Sequence, residues 1–358
     1  MQPKPLHILI SPLDWGLGHA TRCIPVIRQL IKAGNQITLA GNGRSLVLLQ
    51  KEFPMLECIE LQGFSPSYPA SGKMFLHLLL LLPRFIYSIF REHQDLKTLV
   101  SKHKFDVLIS DNRYGLWSKD AKSIIITHQV MIKAPEWLRF AEYPLYRISR
   151  LMISRFDECW IPDAKEMPGL SGDLSHKFPL PRNARFIGAL TRFSIAGNVG
   201  RSFFGEPKIT VLISGPEPQR SLFEDLVIKQ LTQLNLSATI LSGKPDLKKT
   251  VVLINRLTIL PHLETTELES LISASSLIIC RSGYSSIMDL SVLGSKVLFV
   301  PTPGQTEQLY LAKLHQYLGV ALWRSQNKLN LESDIPEALK YKGFERDFVT
   351  PSSGALYL

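Results

Sequence analysis

Four loops carry the side chains best suited to moving a proton or holding an anion. The first, Pro12-Leu13-Asp14-Trp15-Gly16-Leu17-Gly18-His19, follows a short apolar run and leads into a helical pattern over 20–33. Gly16 and Gly18 let the backbone turn tightly and approach a ligand, and the helix behind them offers unpaired N–H groups and a positive dipole end. His19 is a candidate general base because histidine titrates near neutrality, and Asp14 is a second catalytic candidate. A helix-capping or packing histidine and a turn-forming aspartate are the plain alternatives. A second loop, Asp111-Asn112-Arg113-Tyr114-Gly115, and the neighbouring pair His128-Gln129 place polar groups just after strand-like runs. An open sheet presents its ligand contacts there. Asp111 therefore joins the catalytic candidates, and His128 joins Gly16 and Gly18 on an acceptor side. An Asx turn and a buried, hydrogen-bonded histidine would account for the same residues.

The other two loops lie in the C-terminal half. Arg281-Ser282-Gly283-Tyr284 opens a helical run containing Asp289, and Gln305, Glu307 and Gln308 open another. Small residues at a helix start let a diphosphate dock on its N-terminus, and an acid about one and a half turns on is placed for ribose hydroxyls. Gln and Glu supply the donors and acceptors needed to read a sugar. Ser214-Gly215-Pro216 adds a weaker phosphate-binding passage. A capped helix with a solvated Asp289 is the alternative.

Short β-rich runs alternate with helical patterns, which predicts parallel sheets. Strands are expected at 6–11, 36–40, 106–110, 123–127 and 158–161, and again at 208–213, 238–241, 277–280 and 296–300. The polar, glycine-containing pause near 188–207 divides them. The expected organisation is a domain over 1–190, a linker over 191–206 and a domain over 207–358, each Rossmann-like, with the two sheets facing a central cleft. Thr21 stands where a dinucleotide fingerprint needs its third glycine, which disfavours hydride transfer.

The chain has 358 residues, 45% of them hydrophobic, and a formal net charge of +10. That balance favours anionic partners: a phosphate-bearing small molecule or an acidic membrane face. Nucleic acid is disfavoured, because no Lys/Arg-dense helix, zinc-finger spacing or aromatic RNA-binding signature is present. The cysteines, Cys23, Cys58, Cys159 and Cys280, are widely spaced and read as reduced thiols rather than a disulfide or zinc framework. The apolar run at 6–10 is too short for a signal peptide. The longest apolar stretch, 74–90, falls short of the ~20 residues that span a bilayer. It and 137–154, which lie near Lys133, Arg139, Arg147 and Arg150, suit either an interfacial membrane contact or core helices.

Taken together, the run from Cys280-Arg281-Ser282-Gly283 to Asp289, Pro301 and Gln308, with the N-terminal Gly-x-Gly-His, resembles the GT-B glycosyltransferases of family 28. The resemblance implies inverting transfer from a nucleotide sugar, UDP-linked, to a hydroxyl acceptor, a lipid-linked one among those expected, without metal or other cofactor. It implies His19 as base, Gly215, Arg281, Ser282, Gly283 and Tyr284 lining diphosphate and base, Asp289 at the ribose, and Gln305, Glu307 and Gln308 at the sugar. The cysteine pattern leads one to expect a cytoplasmic enzyme, and the apolar and basic segments a peripheral contact with the inner membrane face as one reading. Asp289 replaces the family's glutamate, and Gln308-Leu309 its paired glutamines, so a different donor sugar and acceptor are expected. A nucleotide-sugar hydrolase or epimerase on the same scaffold, or a non-catalytic sugar-nucleotide-binding protein, fits the same donor loops.

Overall fold

The computed structural model describes residues 4–64, 74–193 and 209–345. The chain divides into two compact units, one of residues 1–66, 78–190 and 350–358, the other of 67–77 and 191–349. Of the expected linker, residues from 194 onward lie outside the described residues.

The first unit is built on β1 (His7–Pro12), β2 (Gln36–Gly41), β3 (Glu57–Glu60), β4 (Val107–Asp111), β5 (Lys122–Ile126), β6 (Glu158–Ile161) and β7 (Ala184–Phe186). All neighbours are parallel, in the order β3-β2-β1-β4-β5-β6-β7. Strands such as β1 and β5 are nearly continuous apolar runs, because parallel strands are covered on both faces. Its helices are α1 (Leu17–Lys32), α2 (Gly43–Glu52), α3 (Met74–His103), α4 (Glu142–Ile153) and the short α5 (Asp173–His176). One core layer joins Leu9, Ala40 and Leu108 to Leu96 and Val100 of α3, and another joins Ile125, Cys159 and Ile161 to Tyr146 and Ile153 of α4.

The second unit repeats the plan with β8 (Ile209–Leu212), β9 (Ala238–Leu241), β10 (Val252–Ile254), β11 (Leu257–Leu260), β12 (Leu277–Cys280), β13 (Val297–Phe299) and β14 (Leu322–Trp323). Their order is β10-β11-β9-β8-β12-β13-β14, and only the β10–β11 pair is antiparallel. The helices are α6 (Gln219–Gln233), α7 (Thr265–Ala274), α8 (Tyr284–Leu293), α9 (Thr306–Tyr317) and α10 (Leu331–Ala338). Phe223, Val227 and Leu231 of α6 fill the core against β8, β9 and β12.

In both sheets the strand order reverses beside the first strand, between β1 and β4 and between β8 and β12. Connections on either side of that point leave in opposite directions and open a crevice at the strand C-termini, the place where open α/β sheets bind ligands.

Candidate functional site

At the β1–β4 reversal, β1 feeds the first loop into α1, and β4 ends on Asp111. Gly16 is the N-cap of α1 with φ of 137°, a backbone conformation suited to glycine. The turn brings His19, in the first turn of α1, against the strand end. His19 Nδ1 lies 2.6 Å from Asp111 Oδ1, with the imidazole 18% exposed and Asp111 buried. Arg22, one turn further along α1, forks onto both Asp111 oxygens. Its third nitrogen, Nη1, lies 3.1 Å from Nδ1 of the buried His128. Burial alone would raise the Asp111 carboxyl, but Arg22 and then His19 hold it down to about 2. Asp111 is therefore ionised, and His19 Nδ1 must carry the proton it donates to it. In the neutral imidazole Nε2 is then an acceptor, the form a general base needs.

Arg22 was not among the sequence candidates. Its signal is the i, i+3 spacing from His19, which sets both side chains on one helix face. His128 joins the cluster, but behind Arg22 rather than on an open acceptor side. Gly18 falls inside α1, and Gly16 remains at its mouth.

Asp14 has a different task from the catalytic one expected of it. Its Oδ1 accepts from Ser45 N at 3.1 Å, in the first turn of α2, so it caps that helix from a neighbouring loop. Gly43 has φ of 58°, and a Cβ there would sit 2.0 Å from Asp14 Oδ2, so the close approach needs glycine.

In the second unit, β8, β12 and β13 lie side by side, and their C-terminal ends carry the expected donor residues. Gly215 has φ of 107°, and Gly283 is the N-cap of α8; a Cβ at either would meet no atom within 4 Å. Both face open space at the sheet reversal. Gln305 is the N-cap of α9 and Glu307 lies in its first turn, both half-buried. Ser282 Oγ donates to the Gln308 carbonyl at 2.8 Å, and Gln308 Oε1 accepts from Thr302 N at 2.8 Å. These bonds tie the starts of α8 and α9 together.

Three expected ligand contacts are turned inward. Arg281 is 1% exposed, donates to the carbonyls of Val300, Pro301 and Gln219 and to Gln326 Oε1, and lies 4.1 Å over the Phe223 ring. Burial pulls its guanidinium down to about 9. It braces the loops instead of lining a diphosphate. Tyr284 is buried at 3%. Asp289 accepts from Thr191 Oγ1 at 2.7 Å and lies 3.7 Å from Arg192 Nε, and burial raises its carboxyl against the pull of Arg192. Spacing along a helix gives the face of a residue, but not whether the domain has already engaged it.

A cavity of about 730 Å³ in the first unit is lined by Trp117, Lys119, Lys122, Arg155 and Asp157. Lys122 opens β5, so this cavity is at the opposite end of the strands from His19 and Asp111. All four cysteines are free, and burial pushes the thiols of Cys23, Cys159 and Cys280 upward. Among the described residues no helix is long and apolar enough to cross a membrane. Instead Leu80, Tyr87 and Phe90 of α3, and Trp137, Phe140, Tyr143 and Leu151 in and beside α4, are exposed rather than packed in a core.

Comparison with known proteins agrees with this fold. Residues 213–346 match the glycosyltransferase family 28 C-terminal domain. The chain is 24% identical, over 85% of its length and 81% of the relative's, to an uncharacterized glycosyltransferase of Methanosarcina acetivorans. Among solved structures it is similar to the spinosyn rhamnosyltransferase SpnG (TM-score 0.63, 14% identity, 95% of this chain and 93% of that one). It is similar also to MurG of Acinetobacter baumannii (TM-score 0.53, 13% identity, 96% and 92%). With two reversed parallel sheets the chain has the fold of the GT-B glycosyltransferases, and its residues 213–346 match the C-terminal domain of glycosyltransferase family 28.

Proposed function

We propose that the chain transfers a sugar, with inversion, from a UDP-linked donor to a hydroxyl acceptor, using His19 as the base and no metal. The observation that carries this reading is the 2.6 Å His19–Asp111 pair, which leaves Nε2 as a proton acceptor at a sheet reversal. His19 Nε2 takes the hydroxyl proton as the acceptor oxygen attacks the anomeric carbon, and the nucleoside diphosphate leaves with the bonding pair. The N-termini of α8 and α9 stabilise the charge that develops on it. Gly215 and Gly283 let the diphosphate approach the backbone, and Gln305, Glu307 and Gln308 serve the sugar. SpnG has been solved with thymidine diphosphate, which supports a nucleoside diphosphate as the ligand of this fold.

The acceptor in this reading is lipid-linked and met at an anionic cytoplasmic membrane face. Trp137 (67% exposed) and Phe140 (78%) stand beside the exposed Arg139 and Arg147, a combination suited to the headgroup boundary. The test is UDP release from UDP-sugars offered with lipid or soluble hydroxyl acceptors. His19→Ala should lower kcat by about 10²–10⁴ with UDP affinity retained. Undiminished turnover in that variant would remove His19 as base, and release of free sugar or an epimer without acceptor would replace transfer with hydrolysis or epimerisation.

A further inference from the structure

The charges around His19 are arranged in a way that a histidine–carboxylate pair alone does not require. Asp111, at the end of β4, is fully buried and has both oxygens engaged by Arg22. Arginine only donates hydrogen bonds, so His128 Nδ1, 3.1 Å from Arg22 Nη1, is the acceptor and its proton is on Nε2; His19 Nδ1 also lies 3.0 Å from Arg22 Nη2, but its shorter 2.6 Å contact is with the Asp111 carboxylate, which only accepts, and that contact decides its tautomer. His19 has the opposite tautomer, with Nδ1–H directed at Asp111 and Nε2 as the acceptor. A second proton on His19 would place an imidazolium whose Nδ1 is 3.0 Å from Arg22 Nη2. Two further titratable groups act on the cluster: Cys23, whose Sγ lies 3.8 Å from Asp111 Oδ2, and Tyr114, which interacts electrostatically with Arg22 and Asp111. Cys23 is buried and Tyr114 half-buried, and burial holds both in their neutral forms, so Arg22 and Asp111 are the charges that matter.

We propose that Arg22 is the positioning residue of the His19 base: it compensates the Asp111 charge, fixes the opposite tautomers of His19 and His128, and keeps His19 Nε2 unprotonated for the acceptor hydroxyl. This rests on the reading of His19 as base. A carboxylate alone would orient the ring but would also favour its doubly protonated form, in which the base is spent. The fork on Asp111 supplies orientation without that pull.

The test needs neither the acceptor nor turnover. The full chain, labelled with ¹⁵N-histidine, is followed by long-range proton–nitrogen correlation from pH 5 to 9, with His19→Asn and His128→Asn assigning the signals. In the wild type, His19 should show the Nδ1–H tautomer and His128 the Nε2–H tautomer at high pH. In Arg22→Met the pH at which His19 gains its second proton should rise by about one unit or more, and His128 should become a tautomer mixture. Arg22→Lys should restore the His19 titration, but not the His128 tautomer. If Arg22→Met does not fold, Arg22→Met/Asp111→Asn removes both buried charges; its His128 should still lose its tautomer preference, while His19 no longer favours Nδ1–H. Wild-type tautomers other than these, or a His19 titration indifferent to Arg22→Met, would overturn the proposal. Full turnover in His19→Ala with the predicted tautomers would instead remove the base reading and leave the charge arrangement standing.

Discussion

At the scale of single residues, the side chains with the most bonds are not always those that meet a ligand. Asp14 looks catalytic by position and caps α2 instead. Asp14→Ala should cost about 1 kcal/mol in urea unfolding, the usual worth of a cap, with nucleotide affinity unchanged. Arg281 sits in the most family-like run of the sequence, yet its Nη nitrogens are committed to the loops that follow β8 and β13 and to Gln326. Arg281→Met should lower stability by on the order of 3 kcal/mol, because several carbonyls lose their donor inside the domain. Asp111 gives the pH prediction. Its carboxyl is held at about 2 against an ordinary 3.8, so the stability it contributes is complete above pH 3.8 and is lost as pH falls toward 2. Urea midpoints taken from pH 6 to 2 should fall more steeply for the wild type than for Asp111→Asn, which starts less stable. The difference should be about 2 kcal/mol.

At the scale of elements, the legible strands were the long or wholly apolar ones, β1, β2, β4, β5, β6, β8, β9, β12 and β13, because burial on both faces writes a continuous hydrophobic run. The edge strands β3, β7, β10 and β14 were missed, and so was β11, which lies one place in from an edge. β3 reads Glu-Cys-Ile-Glu and β7 only Ala-Arg-Phe, since an edge strand has a wet side and little apolar signal. α3 is also longer than its apolar part: Leu80, Tyr87 and Phe90 are exposed on it, and its second half buries Leu96 and Val100 in the first core layer while reading as polar. The exposed aromatics in and beside α3 and α4 are not packed in a core, and the proposed membrane contact would use them. Trp137→Ser with Phe140→Ser should weaken binding to vesicles containing anionic lipid at least tenfold, and raising the salt should weaken what remains. Equal binding to neutral vesicles would exclude the charge contribution.

At the scale of the whole chain, the two Rossmann-like sheets were readable from the alternation of patterns. The His19–Asp111 pair was readable only as two separate candidates; 92 residues of sequence separate them, and the reversal of strand order beside β1 brings them together. Arg22 and the inward turns of Arg281 and Asp289 were not readable, because they depend on which partner each side chain reaches once folded. The net charge of +10 is in keeping with a phosphate-bearing donor and an anionic surface without choosing between them. Asp289→Ala is a poor probe of the donor site, since it also breaks the Thr191 bond. Gly283 is the clean one, because a side chain there meets open space and its φ of −72° is ordinary. Calorimetric titration of UDP, thymidine diphosphate, GDP and NAD into wild type, Gly283→Val and His19→Ala is therefore the most direct test. UDP should bind wild type and His19→Ala alike and lose at least tenfold in Gly283→Val; binding of NAD alone, of no nucleotide, or of UDP undisturbed by Gly283→Val would contradict the account.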